Sequence, residues 1–231
     1  MFKVNLSRNQ AMRKIWIFLI LWCCLWSETG LYAQSGFTIA RLKYRGGGDW
    51  YNDPSAIPNL LEFMRKETNV NTLKEEIKLD IMSEALFSNP VLFMTGHGKI
   101  VFSDEEVERL RLYLTSGGFL YADDDYGMDK YFRDVMKKVF PKNALIELPF
   151  SHPIYHSHFD FPNGLPKIHE HDGGPPEGYG IFYDGRLVVY YTYNTNISDG
   201  WPAAEIHGNS EETRLTALKM GTNIYIYALM N

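Results

Sequence analysis

PVLFMTGHGKIVFSDEEVERLRLYLTSGGFLYADDDYG, residues 90–127, is the stretch that decides the fold. Val91 to Thr95 is a continuous apolar run after Pro90, the pattern of a strand covered on both faces. It exits into Gly96-His97-Gly98. Ser103 and Glu106 then form a capping box, and Val107, Leu110 and Leu114 lay out one apolar helix face. Gly117 stops that helix. Gly118 to Ala122 is a second buried-type strand, and it exits into Asp123-Asp124-Asp125-Tyr126-Gly127. Strand, helix and strand in this order predict a parallel pair joined by a right-handed crossover.

The same alternation extends in both directions. Phe37 to Tyr44 reads as a strand and runs into Arg45-Gly46-Gly47-Gly48-Asp49-Trp50-Tyr51, a loop. Asp53-Pro54 reads as the N-cap and first residue of a helix whose face is Ile57, Leu60, Leu61 and Met64. Ile77 to Ile81 reads as a short strand. Beyond the central stretch, Phe132, Val135, Met136 and Val139 share a helix face, with Lys137 and Lys138 suiting its C-terminal dipole. After Leu145 to Leu148 the pattern changes. Residues 149–179 are rich in Gly, Pro and His and have little periodicity. Tyr179 to Tyr183 and Arg186 to Tyr193 flank Asp184-Gly185, a hairpin. Ser210 opens a last helix reaching about Leu229, although Asn223 to Tyr227 also suits a strand. The expected class is α/β, a mostly parallel sheet with helices on both faces, followed by a hairpin and a long histidine-rich loop.

The N-terminus reads as a signal peptide over residues 1–33. Lys3, Arg8, Arg13 and Lys14 precede the apolar run Ile15 to Trp26, which is shorter than the about 20 residues of a membrane span. Leu31-Tyr32-Ala33 offers a cleavage site before Gln34, leaving 34–231 as one domain; an uncleaved anchor is the alternative. Trp22 before Cys23 argues against a lipoprotein. Both cysteines, Cys23 and Cys24, lie in this segment, so the exported chain has no thiol chemistry and no disulfide. The segment holds four of the 23 Lys and Arg and one of the 28 Asp and Glu, so its removal shifts the net charge from −5 to −8. An acidic domain with no basic stripe does not suit nucleic acid. It suits a neutral or cationic ligand, a saccharide or peptide of the cell envelope.

In an open parallel sheet, ligands bind beyond the carboxyl ends of the strands. Three loops meet that condition. The candidate catalytic residues are His97, Asp124, Asp125 and His152. The candidate ligand-binding residues are Gly46, Gly47, Gly48, Asp49, Trp50, Gly96, Gly98 and Asp123. Three adjacent carboxylates repel one another unless some are solvated, capping, protonated or bound to metal. His97 at a strand end suits a general base or a loop hydrogen bond. His152, His156 and His158 are candidate ligands for a zinc-like divalent metal, while His169-Glu170-His171-Asp172 reads as a solvated loop. Gly46-Gly47-Gly48 is not a dinucleotide fingerprint.

The runs FTIARLKYRGGGDWYNDPSAIPNLLEF, FMTGHG, SDEEVERLRLYLTSGGFLYADDDYGMDKYFR, LPFSHPIYH and KMGTNIYIYAL resemble the DUF4159 family over nearly the whole exported chain. The resemblance implies a three-layer α/β/α, flavodoxin-like domain similar to class I glutamine amidotransferases. Those enzymes use a cysteine at a strand-to-helix turn, and the comparable exit here is Ala122 to Gly127. With no cysteine in the exported chain, thioester glutamine hydrolysis is excluded. Three functions remain in view. One is a non-catalytic binding or scaffold module of the envelope. An alternative is an Asp/His hydrolase of glycan or peptide bonds, with or without a metal. The third is a metal-storing or sensing protein built on the histidine-rich loop.

Overall fold

The computed structural model describes residues 36–231, so the expected signal segment lies outside the described residues. Four parallel strands come first: β1 (Ala40–Lys43), β2 (Ile77–Asp80), β3 (Val91–Gly96) and β4 (Phe119–Asp124). Helices α1 (Ala56–Glu67), α2 (Asp104–Thr115) and α3 (Asp129–Val139) are interleaved with them. The short strand β5 (Ile146–Glu147) and the hairpin β6 (Glu177–Tyr183) and β7 (Arg186–Tyr193) complete one sheet. A short helix α4 (Ala204–His207) and the long α5 (Glu211–Met230) close the chain. Among the described residues no helix is long and apolar enough to cross a membrane.

The strand order is β2-β1-β3-β4-β7-β6-β5. β7 lies parallel to β4, and β6 and β5 continue antiparallel. The first five strands therefore follow the doubly wound order of flavodoxin-like sheets, with β7 in the fifth place. β3 and β4 pair from Val91–Phe119 to Gly96–Asp124, so their exits lie side by side. The hairpin turns at Asp184 and Gly185, both at positive φ (48° and 79°), as a two-residue primed turn requires.

Alternation along the strands feeds two cores. Leu92, Met94, Leu120 and Ala122 pack with α2 and α3 through Leu110, Leu114, Phe132 and Val139. Val91, Phe93, Phe119 and Tyr121 pack on the other face with Ile57, Leu60 and Leu61 of α1, with Trp201, and with Ile224 and Tyr225 of α5. This makes three layers. Asn223 to Tyr227, which also suits a strand by composition, is helical inside α5. Gly221 lets that helix seat on Trp201, since a Cβ there would lie 2.8 Å from the indole Nε1.

Several boundaries differ from the reading of the sequence: β1 spans Ala40–Lys43 rather than Phe37–Tyr44, and β4 runs through Asp124 rather than ending at Ala122. α1 starts at Ala56, not Pro54, and Asp53 does not cap it. Asp53 sits at φ 45°. Its carbonyl accepts the Ala56 amide at 3.0 Å, while its side chain turns away toward His207.

Candidate functional site

The order of strands in a doubly wound sheet reverses between β1 and β3, and that crevice is where such folds bind ligands. Here the loop after β1 meets the loop after β3. Asp49 accepts the His97 backbone N–H at 2.5 Å and holds the ring Nδ1 at 3.1 and 3.2 Å. Close approach of the two loops depends on glycine. A Cβ on Gly96 would lie 2.4 Å from the Tyr44 hydroxyl, and one on Gly48 would lie 2.8 Å from the His97 carbonyl. Gly46 packs on Lys99 in the same way, whereas Gly47 and Gly98 face open space. Most of this glycine thus lets backbone approach backbone rather than ligand.

The three aspartates divide their work. Asp123 is fully buried and accepts the amides of Ile197 (3.3 Å) and Ser198 (2.6 Å), along with the Thr192 hydroxyl. It thereby holds the turn Ile197–Gly200 in place. Asp124 accepts the Met128 amide at 2.9 Å, at the start of α3. Burial pushes both carboxyls up to about 6. Asp125 lies between two asparagine amides, Asn52 and Asn196, and its Oδ2 is 3.4 Å from His97 Nδ1. Burial, then the charge of Asp199, drives the Asp125 carboxyl well above the ordinary range. Asp49 moves the other way. Burial alone would raise it, but the His97 amide and imidazole outweigh that and hold it low.

The loop carrying Asn52 and Asp53 is fixed from below. Arg41, buried within β1, pairs with Glu76 at 2.7 Å. Its Nη atoms donate to the carbonyls of Trp50, Asn52 and Asp53 at 3.2, 3.0 and 3.3 Å. Trp50 packs against the core while its neighbour Tyr51 is exposed. Backbone strain gathers at the same rim. Asp53, Tyr126, Asn194 and Asn196 all have positive φ, a conformation that costs free energy and persists where surrounding structure over-determines it.

The histidine-rich loop does not deliver the residues its sequence suggests. His152 caps the turn Pro153–Tyr155 through Nδ1 and packs on Phe182 and Tyr227. Phe182 pairs with Leu187, and Tyr227 packs on Phe119, so His152 sits by the strand starts, opposite the rim. His156 binds Asp160 and the Phe150 carbonyl. His158 binds the Glu67 carbonyl at the far end of α1. These three rings have separate partners and do not converge on a metal. Asn223 anchors that part of the loop, accepting the amides of His158 and Phe159. The loop then returns to the rim, where the His169 amide binds the Thr195 carbonyl at 2.8 Å.

The rim gathers residues that the sequence reading gave other roles or did not name: His169 and His171 read as a solvated loop and Asp53 as an N-cap, while Asp199, His207, Asn52 and Asn196 went unnamed. Asp199 Oδ2 lies 3.0 Å from His169 Nδ1 and 3.5 Å from His207 Nδ1. His207 Nε2 lies 2.9 Å from Asp53 Oδ1. Asn196 donates to Asp199 at 2.7 Å as well as to Asp125. The ring of His171 stacks on the exposed Tyr126. Only Asp53, next to a proline, and His169 and His171, in a histidine-rich loop, carried any local signal.

A search of curated proteins finds no match to this chain. A family model described as a domain of unknown function, DUF4159, matches residues 38–229, and the chain belongs to that family.

Proposed function

We propose that the rim is a hydrolytic acid–base site, with His97 as the general base. The observation that carries this is the pair of carboxyls beside His97 whose proton affinities are driven apart. Asp49 is held ionised and Asp125 is held neutral, and such separation marks the partners of proton-transfer chemistry. Asp49 binds Nδ1, which places the proton there and leaves Nε2 as the basic atom. Nε2 has no hydrogen-bond partner among the described residues, and the side chain is 54% exposed. A water deprotonated by Nε2 adds to the substrate, and the same proton passes on to the leaving group. Asp49 stabilises the imidazolium in between. Asp125, neutral in its asparagine clamp, supplies a hydrogen-bond donor without a second negative charge.

The acidic rim and the exposed rings of Tyr51 and Tyr126 suit an uncharged or cationic substrate, a glycan or peptide of the envelope. Export, the amidotransferase-like relationship and this substrate class belong to the same proposal. Export is supported by the basic start and apolar run before Gln34. A second reading keeps the rim as a binding module, favoured by those exposed rings and by the lack of a cysteine among the described residues.

The test is turnover of a panel of envelope glycans and peptides by the wild type, His97→Ala, Asp49→Asn and His152→Ala. Turnover should vanish in the first two variants and persist in the third. Turnover that survives His97→Ala overturns the hydrolytic reading. Binding without turnover, lost in Tyr51→Ala, selects the binding module.

A further inference from the structure

We propose that His169, Asp199 and His207 bind one divalent transition-metal ion, zinc or a close chemical relative. Their nearest ligand atoms lie within 4.8 Å of one another. The two contacts to Asp199 Oδ2, at 3.0 and 3.5 Å, bracket the ~3.3 Å edge of a tetrahedral zinc site with ~2.0–2.1 Å bonds. Two imidazoles and a carboxylate are the donor set of such metals.

Several independent features favour an ion over a plain hydrogen-bonded cluster. His207 faces carboxylates through both ring nitrogens, Asp53 at Nε2 and Asp199 at Nδ1. A neutral ring has one N–H, so both contacts are favourable only when the ring is an imidazolium or when a cation lies between one nitrogen and its carboxylate. A metal at Nδ1 fixes the Nε2–H tautomer and directs that proton to Asp53, the carboxylate–histidine–metal arrangement of many metal sites. Asp199 Oδ1 and Asn196 Oδ1 are buried acceptors with no donor among the described residues. Buried polar atoms are rarely left so. Asp53, Asp125 and Asp199 gather at this rim with histidine as their ionic partner and no lysine or arginine paired to them among the described residues.

The scaffold is also built for the purpose. Asp199 stands on the turn held by Asp123, and the Asn209 amide grips its carbonyl at 3.0 Å. His169 is tied to Thr195 by its own amide and by that of Ile168. His207 ends α4, and Gly208 follows in the left-handed conformation. Ligands on fixed backbone lose little order on binding.

This inference does not rest on the hydrolytic reading, and its test does not use turnover. The full chain is stripped with chelator and titrated with zinc chloride by calorimetry, with metal content checked by elemental analysis. One ion per chain is expected. His169→Ala and His207→Ala should each lose it. Asp53→Asn, which removes only the outer carboxylate, should weaken it by about 10–100-fold. His156→Ala and His158→Ala should bind as the wild type does. Zinc should raise the melting temperature of the wild type and leave His169→Ala and His207→Ala unmoved, which also reports that those variants are folded. No stoichiometric ion, or an ion retained in both variants, overturns the proposal and leaves a charged histidine cluster in its place. So does an ion lost with His156→Ala.

Discussion

Asp124→Asn should make this protein more stable at neutral pH, and less so in acid. The Asp124 carboxyl is raised from 3.8 to about 6, first by burial and then by the charges of Asp123 and Asp129, against the opposing Met128 amide. The folded state therefore binds this proton more tightly than the unfolded state. The stabilisation from the neutral carboxyl is complete below pH 3.8 and is lost as pH rises through about 6. Each pKa unit is worth about 1.4 kcal/mol. Ionised Asp124 thus costs the folded state about 3 kcal/mol at pH 7.5 and about 1 kcal/mol at pH 4.5. Asparagine removes the charge and keeps Oδ1 to accept the Met128 N–H. Urea denaturation of wild type and variant at both pH values reads the difference directly. The expected gain at pH 7.5 corresponds to a melting temperature about 6–12 °C higher for a domain of this size. A gain of equal size at both pH values, or a loss at pH 7.5, would refute the linkage and with it the account of Asp124 as a buried cap.

Two further predictions test the scaffold and the compartment. Arg41→Met leaves buried Glu76 with only Lys78 as an ionic partner and strips three carbonyls of their donor, and should cost about 3 kcal/mol by urea denaturation; adding Glu76→Gln should recover part of it, and a loss below about 1 kcal/mol would show that the loop holds itself. N-terminal sequencing of the chain from a secreting host should begin at Gln34, whereas an intact Met1 in the membrane fraction would establish the uncleaved anchor instead.

Much of the fold was legible because local signals agreed. The run Val91 to Thr95 and the Ser103 and Glu106 capping box each name an element boundary, and the structure places them close to where they were read, whereas β4 runs on through Asp124, two residues past the Ala122 end that was read. The parallel pairing of β3 and β4 follows from the helix between them. The Asp53-Pro54 start of α1 was misread because a buried arginine and a histidine about 150 residues away claim that loop. No local pattern reports such partners.

The site divides along the same line. His97, Asp49 and Asp125 were legible because position on a strand exit is a property of short sequence. The roles of Asp123 and Asp124 were not, since adjacent aspartates look alike until burial and backbone partners separate them. Nor could sequence choose among the five histidines of the long loop, because a segment without periodicity carries no direction. His152, His156 and His158 go to the far end and the α1 side, while His169 and His171 return to the rim. The sequence alone thus determined a doubly wound core and the edge at which the three exit loops meet, through periodicity and capping that act within a few residues. Tertiary structure alone decided which side chains share that edge, because His169, Asp199, His207 and Asp53 meet only when a long loop, a turn and a short helix pack together.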